Sequence, residues 1–153
     1  MGVSSLAPAS LADRLGARLL LLWAGLSIGV AFLATPVKFM APSLSLPVAL
    51  DVGRHTFRIY NDVALGLLVL LVLAAAWSKA WRSTYLALAV PAAVVLAQAL
   101  WLIPALDDRV SAILAGGRPA ASNLHAVYIG VELLKVAWLL VFGLVDLRQR
   151  SRF

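Results

Sequence analysis

Four residues in the last long apolar stretch carry groups able to bind a ligand or hold a proton: His125, Tyr128, Glu132 and Lys135. Their spacing of i, i+3, i+7 and i+10 confines them to one narrow face of a helix. At ~1.5 Å rise per residue, Glu132 and Lys135 fall roughly 14 and 18 Å below Asn123, near the middle of a bilayer. Ionisable groups at that depth are costly and mark a functional site by default. The structural alternative is an internal Glu132–Lys135 pair that neutralises itself. Against it, apolar residues would be at least as stabilising, because charge desolvation often exceeds the attraction recovered.

Other polar residues extend this candidate ligand-binding face. Gln98 lies between Pro91 and Pro104 in the preceding apolar segment, where a neutral amide serves either as an interhelical hydrogen-bonding group or as part of a site. Asn61 and Asp62 open the second segment, where a cap and a favourable dipole interaction are the structural alternatives. His55 and His125, the chain's two histidines, are candidate axial ligands of a haem or ligands of a divalent metal. A helix-end histidine serves equally as a hydrogen-bonding or interfacial residue, so no metal ligand set is assigned. Asp107 and Asp108 read as solvated interface charges. The chain has no cysteine, which excludes disulfides and thiolate sites. It also lacks the HExxH, GxSxG and phosphate-loop patterns, so no catalytic residue is assigned and the enzyme question stays open.

Composition says where these residues must sit. Of 153 residues, 63% are hydrophobic and 13% charged, with a mean hydropathy of +0.95, against roughly 45–50% apolar residues in a soluble domain. Four segments meet the ~20 residues needed to cross a hydrocarbon core: about 17–40, 59–78, 84–106 and 123–145. Outer loops over about 41–58 and 107–122 complete a single membrane domain. The expected fold is all-α, an integral membrane four-helix bundle. Pro36 and Lys38 follow a first run already long enough to span, so it reads as an uncleaved helix. Pro91 and Pro104 are expected to kink the third span or end its last turn.

An even number of spans puts both termini and the 77–83 connection on one side, with Arg14, Arg18, Lys79, Arg82, Arg148, Arg150 and Arg152. Five cations, Lys38, Arg54, Arg58, Arg109 and Arg118, lie on the other. The positive-inside rule then gives an N-in, C-in protein of the inner (cytoplasmic) membrane. The basic tail reads as a topology anchor, and no nucleic acid is expected. Trp77, Trp81 and Tyr85 read as interfacial anchors. Gly25 and Gly29 form a GxxxG pattern that suits packing within the bundle or a homo-oligomer.

Thr35 with Pro36 closing the first span, Gly53, Arg54 and Phe57 before the second, and Leu124 with His125 opening the fourth give the chain a recognisable layout. It resembles small bacterial four-helix membrane proteins of unknown function, loosely related to the copper-resistance-D-like and HemJ-like group. The resemblance implies His125 as a functional position and brings haem and copper into view. The lack of cysteine, with two methionines, departs from a thiolate or methionine-rich copper route. Three readings remain. One is an outward-facing polar pocket that binds or transports a small ligand; another is a haem-binding oxidoreductase with His125 as axial ligand and His55 or Lys135 as partner. The third is a non-catalytic subunit or assembly factor paired with another membrane protein.

Overall fold

The computed structural model describes residues 11–77 and 81–150, and among them every regular element is helical. Four helices are long and apolar enough to cross a membrane: Leu15–Lys38, Leu46–Ala76, Tyr85–Leu114 and Leu124–Arg148. Backbone amides cannot stay unpaired in hydrocarbon, so long apolar runs close their hydrogen bonds within a helix. Short connections make successive spans antiparallel. Each packs on its sequence neighbours and the first packs on the fourth, so the bundle closes into a ring. Lys79 and Arg152, and the side chains of Arg14, Trp81, Arg82 and Arg150, lie outside the described residues.

Two expected boundaries shift. Residues 41–58 are not mainly loop, because helix begins at Leu46. Pro47 stands in the first turn, where its missing amide costs nothing, and the Asp51–Arg54 pair at i, i+3 supports the charged turns that follow. The second helix therefore runs 31 residues, roughly 46 Å, at ~1.5 Å per residue. That exceeds the thickness of a hydrocarbon core, about 30 Å. Residues 107–114 are likewise helical. That helix ends where Gly116 takes a positive φ of 82°; the Gly116 and Gly117 amides return to the Ile113 and Ala112 carbonyls, a left-handed stop that suits glycine.

The prolines widen the helices rather than end them. Ile28–Ala34, before Pro36, and Gln98–Leu102, before Pro104, are π turns, and helix continues beyond each. A proline ring clashes with the carbonyl four residues earlier, and a wider turn relieves that clash. Pro91 sits inside regular α-helix. Between the polar middle and the termini, Leu20, Trp23, Ala24, Leu67, Leu71, Leu88, Val95 and Leu139 form a continuous apolar core. Trp138 Nε1 donates to the Ala87 carbonyl at 2.9 Å and ties the fourth span to the third there. Gly25 faces outward, and a Cβ there or at Gly29 would meet nothing within 4 Å. The GxxxG pair does not mediate close helix contact within the bundle.

Candidate functional site

Glu132 and Lys135 meet at the bundle axis, both side chains 0% exposed, with Lys135 Nζ 2.8 Å from Glu132 Oε2. One helical turn separates them, so the fourth span brings charge and counter-charge together without help. Other spans complete the carboxylate's shell. Gln98 Nε2 donates to Oε2 at 2.8 Å and Tyr60 Oη donates to Oε1 at 2.7 Å. Since Tyr60 gives its proton to the carboxylate, the Ser27 hydroxyl bonded to Tyr60 acts as donor in that contact. Lys135 Nζ also reaches Gln98 Oε1 at 3.4 Å, and lies 5.0 and 5.7 Å from the Tyr60 and Trp23 ring centroids. Gln98 thus spans the pair, its amide group donating to the anion and its oxygen accepting from the cation. Its position opening a π turn is where helices often carry function.

This shell answers the cost of burying charge. A buried pair is tolerable only with good geometry and with its remaining lone pairs and protons hydrogen-bonded, and here both carboxylate oxygens are engaged. Three buried polar atoms around the centre are not. Trp23 Nε1, Asn61 Oδ1 and Tyr128 Oη have no hydrogen-bond partner among the described residues. Tyr128 lies one turn before Glu132, and its ring packs on Phe57 with centroids 4.8 Å apart. With Leu102 and Ile103 it forms a second, smaller apolar cluster.

Beyond that cluster the spans part at the end of the bundle away from the termini. A vestibule of about 240 Å³ lies between all four, reached by Thr35 and Lys38 of the first, Gly53 and Phe57 of the second, Ile113 of the third and His125 of the fourth. A second cleft of about 360 Å³ runs between the second and third spans, with Asn61, Asp62, Asp107 and Asp108 along it. Arg58 and Asp107 pair across its mouth.

The residues predicted as one face are thus distributed over three places. Gln98, Glu132 and Lys135 share the buried centre, with Tyr128 buried one layer above it. Asn61 is buried while Asp62 is exposed, and both line the lateral cleft. They stand about four turns inside the helix that starts at Leu46, so neither caps it. His125 is exposed on the vestibule wall. His55 is exposed outside that lining and bonds the Asp51 carbonyl through Nδ1 at 2.9 Å. His125 lines the vestibule and His55 does not, and Lys135 is engaged by Glu132 and Gln98. No group of three or more metal-ligating side chains occurs among the described residues. Asp107 is not a solvated charge: its side chain is 14% exposed and paired with Arg58.

Trp23, Ser27 and Tyr60 were not picked out by sequence reasoning. Trp23 and Ser27 stand four residues apart, the spacing of one helix face, and Tyr60 adjoins Asn61; that spacing and adjacency were the available signals.

A family model described as "Domain of unknown function (DUF4149)" matches residues 19–109, more than half of the chain. The match takes in Trp23, Ser27, Tyr60 and Gln98, while Glu132 and Lys135 lie beyond it. It bears on the family of unknown function and not on a copper-resistance-D-like or HemJ-like relation. Comparison with curated proteins and with solved structures gives no match.

Proposed function

The chain belongs to the DUF4149 family, and we propose that it is a multi-pass protein of the inner (cytoplasmic) membrane, N-in and C-in, that binds or moves a small ligand. The ligand enters the vestibule from the outer side and stops on the Phe57–Tyr128 layer. Glu132 and Lys135 below that layer set the charge of the path. The observation that carries this reading is the stacking along one axis: an open vestibule made by all four spans, an aromatic layer containing the unpartnered Tyr128 hydroxyl, and a charge centre whose carboxylate is hydrogen-bonded at both oxygens. A bundle needing only to hold together gains nothing from an ionisable core, since apolar packing serves at least as well.

Native mass spectrometry of the protein extracted from its own membrane tests the reading. The expected spectrum carries a non-covalent small-molecule mass on the wild type, absent from His125→Trp, whose larger ring fills the vestibule. Bare wild-type protein overturns ligand binding. Orientation is tested separately and cleanly because the chain has no cysteine of its own. In His125→Cys, a membrane-impermeant thiol reagent added to intact cells labels the protein if the vestibule opens outward; labelling only after lysis reverses the topology.

A further inference from the structure

Two cations of the vestibule lining, Lys38 and Arg109, have no ion pair among the described residues, and of the two Lys38 also has no hydrogen bond there. Arg54 Nε donates to Asp51 at 2.7 Å and Arg54 Nη1 to Ser111 at 3.2 Å. Arg109 Nη2 donates to the Ala120 carbonyl at 2.6 Å. Asp107, the carboxylate in the lining, is taken by Arg58. Lys38, half-buried in the same wall, has no ion pair among the described residues. Its ammonium lies 5.1 and 5.7 Å from the Phe39 and Phe57 ring centroids. It reaches that place because residue 53 is glycine, where any Cβ would run into Lys38 Nζ. The rest of the lining is largely apolar, with Leu50, Ile103, Leu106 and Ile113.

Resting on the small-ligand reading above, we propose that the vestibule binds an amphiphilic anion, its acidic head on Lys38 and its hydrocarbon against Phe57, Leu106 and Ile113. A cation lodged in apolar surroundings gains most from a partner that is also charged and partly desolvated. Aromatic faces supply only part of that compensation. A purely polar anion would leave the apolar wall unfilled, and a neutral lipid tail would leave Lys38 unpaired. In this proposal the excess of the 31-residue second helix over the hydrocarbon thickness lies at this end, with the mouth of the vestibule at the level of lipid headgroups.

The test uses full-length protein in phosphatidylcholine nanodiscs, with empty discs as the baseline, titrated calorimetrically with octanoate and with octylammonium. Octanoate is expected to bind and octylammonium to bind about tenfold more weakly or not at all. Lys38→Met weakens octanoate by about tenfold, while Lys38→Arg, which keeps the charge, retains most of it. Discs containing phosphatidylglycerol identify the source: a lost octanoate signal names a lipid headgroup as the occupant, and an unchanged one names a soluble fatty anion. Equal binding of both amphiphiles, or an unchanged Lys38→Met, overturns the proposal, with the charge contrast on wild type deciding if Lys38→Met fails to fold. If neither probe binds while native mass spectrometry still finds a bound molecule, the anion proposal falls and the small-ligand reading stands.

Discussion

Between the charge centre and the termini, Trp23, Leu67, Leu71, Leu88 and Leu139 close on one another, and Trp138 bonds the third span. Between the charge centre and the two far connections, the same four helices part around Phe57 and Tyr128 and leave a vestibule and a lateral cleft. Lipid is as apolar as leucine, so the closed half holds through close packing and hydrogen bonds rather than through exclusion of water. That half can carry the assembly while the other stays open. Glu132 and Lys135 sit at the boundary, bonded to the second and third spans and belonging to the fourth.

Perturbing the boundary should have the largest effect. Glu132→Ala leaves Lys135 buried without its anion and should cost about 3–5 kcal/mol in reversible unfolding from detergent, whereas Glu132→Gln with Lys135→Met should cost much less. A single variant no worse than the double one would remove the pair from the framework. Leu139→Ala, in the closed half, should cost about 2–5 kcal/mol; a vestibule truncation such as Ile113→Ala should cost clearly less, and equal losses would erase the contrast between halves. Two tyrosines sharpen it further. Tyr60→Phe removes a bond to a carboxylate and should cost about 1.5–3 kcal/mol, while Tyr128→Phe, whose hydroxyl has no partner, should stay within about 0.5 kcal/mol. Smallest is the glycine comparison by thermal melting. A Cβ at Gly143 comes within 2.8 Å of Leu21 and should cost about 1 kcal/mol, against no measurable change for Gly25→Ala in the monomer.

The four spans were legible because twenty-residue apolar runs have few other uses, and the inward face of Tyr128, Glu132 and Lys135 followed from helical spacing alone. Gln98 was legible as a lone amide between prolines. The helical start at Leu46 was hidden by Pro42, Pro47 and a run of charges, which read as loop although a first-turn proline is compatible with helix. Asp107 was misplaced for a related reason, since its partner Arg58 stands 49 residues away. Ser27, Tyr60 and Trp23 were hidden because each is an ordinary resident of a membrane helix. Only contact between spans makes them the charge centre's shell, and local periodicity carries no information about such contacts.

Gln98, Tyr60 and Ser27 all precede Glu132 along the chain, and Glu132 shares its helix with Lys135. Chains emerge from the ribosome N-terminus first, so the last span enters the bilayer with its counter-ion already one turn away. The hydrogen-bonding groups that finish the site have by then been synthesised. The ionisable pair thus follows its donors in the order of synthesis, and an order that delivered it first would leave the carboxylate waiting in lipid for them.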